Sequence, residues 1–270
     1  MSAPPAIDKP SKSQHANCGA PSTLGVDIGG TYLKAAVLDC ASHVIADRVK
    51  APTPKPATPE AVIEAIGLLT AKFPLYDRIS VGFPGVVKGG AVVTAPNLGT
   101  LQWSGYKLID AMAARFLVPV RLLNDAAVQG LGVVEGHGLE CVITLGTGVG
   151  CALFRNRHLL LHLEFGQHRR GKETYDQFIG QAGLDAVGAA VWNGRVQDSI
   201  ESVIDLTCCD VLYIGGGNAR RIMFELPPQV KVVSNAAGVT GGVRLWEPEM
   251  DEFFVGEPNA KRPAQFQKAP

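Results

Sequence analysis

Residues 24–39 read LGVDIGGTYLKAAVLD. An apolar strand over Leu24–Ile28 runs into Gly29-Gly30-Thr31, and a second apolar strand over Leu33–Leu38 runs back out. Two apolar runs of strand length around a glycine turn predict a β-hairpin. Asp27 stands at its mouth, where a carboxylate has no packing reason to be. Gly29 and Gly30 lack the Cβ atoms that would keep a large anion from the backbone amides. Thr31 and Lys34 add a hydroxyl and an ammonium on the same rim. The set suits a nucleotide or polyphosphate end carrying Mg²⁺, with Asp27 as the metal-seeking carboxylate, directly or through water. An ordinary hairpin turn in which Asp27 caps an amide accounts for the same residues. Neither the strand-to-helix G-x-G-x-x-G arrangement nor the G-x-x-x-x-G-K-[ST] spacing is present.

The 270 residues are 46% hydrophobic and 19% charged, which is ample for a core and for one or two domains. Lys plus Arg and Asp plus Glu each total 25, so no global charge points to nucleic acid or membrane partners. The six cysteines form no C-x-x-C pair, which argues against a zinc ribbon. The N-terminus has no signal pattern and no apolar run reaches membrane-spanning length, so the cytoplasm is the expected address.

Along the chain, residues 1–21 read as a flexible leader rich in Pro, Ala and Ser. A third strand is expected over His43–Val49. Thr58-Pro59-Glu60 opens a helix, with Thr58 as N-cap and Val62, Ala65, Ile66, Leu69 and Phe73 on one stripe. Ile79–Phe83 is a buried strand, and Pro96 presents Asn97 from a rigid loop. Val118–Leu123 is a strand that delivers Asn124-Asp125 to the helix Ala126–Glu135. Either residue could serve that helix as N-cap, but the end of a strand in an open α/β sheet is also the usual ligand crevice. Cys141–Leu145, Gly146-Thr147-Gly148-Val149-Gly150 and a strand through Phe154 repeat the opening design. Arg155–Lys172 holds five cations against the single acid Glu164, a local charge of +4. Helices follow over Glu173–Gly180 and Gly183–Leu206, the latter with Leu184, Val187, Val191, Ile200, Val203 and Ile204 toward the core. A strand over Asp210–Ile214 ends in Gly215-Gly216-Gly217-Asn218 before a helix over Ala219–Phe224, and the last strand is Val230–Val233.

D-I-G-G-T-x-x-K resembles the first phosphate motif of the actin-like ATPase superfamily, in the form used by ROK-family sugar kinases and their polyphosphate glucokinase branch. L-G-T-G-V-G at 145–150 is similar to the second phosphate motif. P-G-V at 84–86, A-P-N-L at 95–98 and Trp103 follow the order of the ROK sugar-side loop. N-D at 124–125 resembles the pair that carries the catalytic base, the triple glycine resembles the nucleotide-base loop, and A-A-G-V-T-G-G at 236–242 is similar to the closing helix. The resemblance spans about Leu24–Trp246. It implies a two-lobed actin-like (ribonuclease H-like) α/β fold, each lobe a mixed sheet flanked by helices, with the active site in the interlobe cleft. The expected division is a lobe over 22–122, a second over 123–246 and a flexible tail over 247–270.

By the same resemblance Asp125 is the catalytic base, and Asn97, Asn124 and Glu164 bind a hexose. Where the family has E-x-G-H, this chain has Glu164-Phe165-Gly166-Gln167. Gln167 can still donate to and accept from hydroxyls. Asp27, Gly29, Gly30, Thr31, Lys34, Gly146, Thr147, Gly148, Gly216 and Gly217 would take the phosphoryl donor, ATP or polyphosphate, with Mg²⁺. The cysteine-rich zinc loop of many members is absent, so no zinc is expected. The implied reaction is phosphoryl transfer to a hexose hydroxyl, the 6-hydroxyl of glucose or a related sugar. The +4 segment is expected to extend the donor track through Arg169 and Arg170, and a homodimer is also implied. A sugar-binding sensor of the same fold, or a degenerate kinase without turnover, is the alternative.

Overall fold

The computed structural model describes residues 21–234 and 237–261. The first lobe opens with β1 (Thr23–Ile28), β2 (Tyr32–Leu38) and β3 (Val44–Pro52), a meander closed by the Gly29–Thr31 turn. Thr58 then caps α1 (Pro59–Thr70): its hydroxyl accepts the Ala61 N–H at 3.2 Å, and Val62 and Ile66 face the core. β4 (Arg78–Phe83) follows, buried along its whole length. A short ribbon, β5 (Val87–Lys88) and β6 (Ala91–Val92), leads to α2 (Thr100–Trp103), α3 (Leu108–Phe116) and β7 (Val120–Asn124). The sheet runs β3-β2-β1-β4-β7, antiparallel across the meander and parallel from β1 to β4 to β7.

From β7 the chain enters α4 (Asp125–Leu131), whose Ala126, Val128 and Leu131 are buried between the lobes. The second lobe repeats the plan. β8 (Leu139–Leu145), β9 (Val149–Arg155) and β10 (His158–Leu163) form the meander. A small ribbon, β11 (Arg169–Arg170) and β12 (Glu173–Thr174), precedes α5 (Tyr175–Ile179) and the long α6 (Gln181–Thr207). β13 (Val211–Gly215) and β14 (Val230–Val232) add the parallel strands, giving the order β10-β9-β8-β13-β14. Two mixed sheets with the same alternation of antiparallel and parallel pairs are the architecture that the resemblance implies.

Several local expectations are corrected. β10 lies inside the segment read only as basic: Asn156 (φ 52°) and Arg157 (φ 72°) form a two-residue turn that folds it onto β9. Val191 is exposed rather than in the core, because Gly188 (φ 73°) breaks α6 and resets the phase of its buried face. Past the triple glycine there is one 3-10 turn, Ala219–Arg221, and no helix to Phe224. The closing helix is a single turn, α7 (Ala237–Thr240), continued by 3-10 turns to Trp246. The Ala236 start of that helix, and the leader up to residue 20, lie outside the described residues.

The expected lobe boundary after 122 cuts through β7, and the chain returns to the first lobe at its end. Val239 packs against Ala36 and Leu38, and a Cβ on Gly25 of β1 would stand 2.8 Å from Val239. The tail from Glu247 does not fray through residue 260: Met250, Phe254 and Ala260 join the first core. Arg121 of β7 fastens it. Its guanidinium donates to the carbonyls of Leu245 (2.6 Å) and Ala260 (2.9 Å), meets Asp251 at 2.7 Å and lies over the Trp246 and Phe254 rings. Removing this buried charge strands carbonyls that have no water to turn to. Arg121→Leu should therefore lower the thermal unfolding midpoint by about 5–10 °C, and a midpoint unchanged in calorimetry would show the tail to be held by its apolar residues alone.

Candidate active site

The C-terminal ends of β1, β7, β8 and β13 converge on a cleft of about 440 Å³ between the sheets. This is where open parallel sheets bind ligands. Of the residues singled out from the sequence, all but Arg169 and Arg170 line it: Asp27, Gly29, Gly30, Thr31, Lys34, Asn97, Asn124, Asp125, Gly146, Thr147, Gly148, Glu164, Gln167, Gly216 and Gly217. The two glycine turns meet across it, with the Thr31 and Thr147 hydroxyls 3.1 Å apart. Asn97 sits in the angle between them. A Cβ on Gly30 would stand 3.1 Å from the Asn97 Cβ, and one on Gly148 would stand 2.7 Å from its Nδ2. A side chain at either turn would therefore press on Asn97, more closely at Gly148 than at Gly30.

β1 and β2 place Asp27 directly opposite Lys34, and the ammonium reaches Asp27 Oδ2 at 2.7 Å. Asp125 is the first residue of α4, where the strand β7 ends. Its Oδ1 accepts its neighbour's amide, Ala126 N–H, at 2.8 Å. Loss of hydration, then the negative charge of Asp27 and, more weakly, that of Glu164 push its carboxyl up to about 7; the Ala126 amide and Lys34 only partly offset this. A carboxyl raised toward neutrality in a cleft has the protonation range that a general base at neutral pH would need.

Asn124, expected on the sugar, spends its side chain locally. Oδ1 caps α4 by accepting from Ala126 (2.9 Å) and Ala127 (3.4 Å), and Nδ2 donates to the Gly85 carbonyl at 3.2 Å. Of the two roles open from sequence, the cap is the one its contacts display.

Glu164 and Gln167 lie on the opposite bank with a residue that the sequence reading passed over, Asp176. Gln167 Nε2 donates to Asp176 Oδ2 at 2.8 Å, and Val149 N–H donates to Oδ1 at 2.7 Å. Burial raises the Asp176 carboxyl, and Glu164 is raised by burial and then by Asp176. The signal for Asp176 was the capping box Thr174-x-x-Gln177, which fixes a helix start there and turns its first-turn acid toward the cleft.

The basic segment does not supply the cleft's cations. Arg170 lies over Phe178 and meets Asp198 at 3.4 Å, and neither Arg169 nor Arg170 lines the cleft. Lys50, beside Tyr32, and Arg220 line it instead, together with Lys34. Lys50 stands directly across from Lys34 in the β2–β3 ladder.

A polyphosphate glucokinase of Mycobacterium leprae is 31% identical over 237 residues, spanning 81% of this chain and 72% of the relative. The crystal structure of an inorganic polyphosphate/ATP-glucomannokinase from Arthrobacter sp. strain KM superposes with a TM-score of 0.76 at 29% identity, covering 83% of this chain and 97% of that one. A ROK-family glucokinase from Streptomyces griseus, solved with glucose and AMPPNP, shares the fold with a TM-score of 0.68 at 22% identity, over 83% and 98% of the two chains. The pattern of the ROK family matches residues 23–166, from β1 to the loop that carries Glu164, and the chain belongs to that family.

Proposed function

We propose that the protein is a sugar kinase that transfers a phosphoryl group from ATP, polyphosphate or both to a hexose hydroxyl, the 6-hydroxyl of glucose foremost. The observation that carries this is Asp125: a carboxyl raised to about 7, in the cleft that also holds the two touching glycine-threonine turns. In this reading Asp125 accepts the proton as the sugar oxygen attacks phosphorus. Asn97, Glu164, Gln167 and Asp176 orient the ring through its hydroxyls. The Gly29–Thr31 and Gly146–Gly148 turns hold donor phosphate oxygens on backbone amides. The base contributes about 10²–10⁴ in rate, and alignment and charge neutralisation supply the larger remainder.

Mg²⁺ travelling with the donor would supply part of that neutralisation. Asp27 fits it: Oδ2 is held by Lys34, while Oδ1 has no protein partner among the described residues. Mg²⁺ commonly takes only one or two carboxylates beside phosphate oxygens and water.

For a donor longer than a triphosphate, Lys50 and Arg220 are the cleft cations that could follow the chain. Neither is in an ion pair among the described residues. The double variant Lys50→Ala/Arg220→Ala should raise the KM for long polyphosphate about tenfold and that for ATP less than threefold; equal shifts would remove both residues from any extended track. The activity itself is tested by incubating the chain with glucose, Mg²⁺ and either donor and detecting glucose 6-phosphate with a coupled dehydrogenase. No product with either donor, at any pH between 6 and 9, would leave a sugar-binding protein without turnover.

A further inference from the structure

Among the described residues, one side-chain polar atom that is itself closed to solvent has no hydrogen-bond partner. Gln129 is buried, lines the cleft, and its Nε2 makes no hydrogen bond among the described residues. A buried amide donor left unpaired is costly, and native structures rarely tolerate one without a ligand or a water to receive it. Its position is set from two sides. On α4 it follows Asp125 by one turn, so both side chains project from the same helical face. Across from it, Gly215 ends β13, and a Cβ there would stand 2.1 Å from Nε2, so the amide occupies the space that a side chain at 215 would fill.

The surroundings indicate what it would receive. The chain beyond Gly215 is the Gly216–Asn218 loop, with Gly216 at φ 87°. The Asn218 amide ties that loop to the Gly146 carbonyl at 3.2 Å, the start of the second glycine turn. Gln129 thus stands at the seam of the two backbone loops on the donor side, whereas the sugar-side groups Glu164, Gln167 and Asp176 come from the segment after β10. An N–H donor there matches an acceptor, and the acceptors that both candidate donors share are phosphate oxygens.

We propose that Gln129 is a donor-binding residue, its Nε2–H hydrogen-bonding a non-bridging oxygen of the phosphate chain next to the transferred group. This rests on the phosphoryl-transfer reading, and it is the same contact for ATP and for polyphosphate. Gln129→Met keeps the volume and removes the donor, and Gln129→Glu keeps the shape and turns a carboxylate toward the phosphate.

The test measures KM for ATP, polyphosphate and glucose in the full-length protein and both variants, with thermal midpoints. Calorimetric titration of inorganic tripolyphosphate with Mg²⁺ is added because it needs no turnover. Gln129→Met should raise the KM for both donors and the tripolyphosphate Kd about tenfold, leave the glucose KM within about twofold, and leave the midpoint unchanged or higher. Gln129→Glu should weaken the donors further. Unchanged donor KM and tripolyphosphate Kd in Gln129→Met would overturn the proposal and leave the amide to a buried water. A rise confined to the glucose KM would overturn it in favour of a sugar contact. A wild-type chain that binds tripolyphosphate Gln129-dependently without forming sugar phosphate would refute the kinase and keep the donor contact; one that binds neither ATP nor tripolyphosphate would refute both.

Discussion

Asp125→Asn should lower kcat by about 10²–10⁴ while leaving sugar affinity within about threefold. The asparagine keeps the shape and the hydrogen bond that Oδ1 accepts from Ala126 N–H, but it takes no proton. The pH dependence supplies a second readout. Asp125 must be ionised to act, so wild-type kcat/KM should fall as pH drops through about 7. The stability effect has the opposite sense. A carboxyl raised in the folded state makes the fold bind an extra proton between the unfolded value of 3.8 and about 7, so its stabilising contribution is present at low pH and lost as pH rises through 7. Asp125→Asn should therefore raise the melting temperature at pH 8 and lose that advantage toward pH 4. A variant that loses sugar binding and turnover in parallel, with no pH-dependent gain in stability, would make Asp125 a structural cap instead of a base.

Asp27→Asn should be the second most damaging change, lowering kcat by about 10²-fold at saturating substrates. Two consequences separate it from a simple loss of a ligand. The variant should need a higher Mg²⁺ concentration for half-maximal rate. Because the Asp27 charge helps hold the Asp125 carboxyl up, its removal should also move the acid limb of kcat/KM to lower pH. An unmoved limb with normal Mg²⁺ dependence would confine Asp27 to its pairing with Lys34, 2.7 Å away.

Much of this was legible in the sequence because glycine punctuates it. Strand, glycine-threonine turn and strand is a local pattern that recurs at 24–38 and 141–154, and its resemblance to the superfamily's paired phosphate motifs implied the two-lobed fold. The residues that the pattern did not reach are those whose place depends on distant partners. HLLLHL at 158–163 has no clean alternation, and only pairing with β9 makes it a strand. The charged, proline-bearing tail looks unfoldable until Arg121, more than a hundred positions away, gathers its carbonyls and rings. Asp176 was a helix-start acid like many others until the fold set it beside Gln167 and under Val149. Gln129 sits in an ordinary helical run, and what distinguishes it is the partner it lacks.

The return of the C-terminal segment to the opening sheet makes the second lobe an insert, spliced into the first and tethered at both ends, once through α4 and once between β14 and α7. Any movement of the second lobe away from the first has to part the Thr31 and Thr147 hydroxyls, which stand 3.1 Å apart.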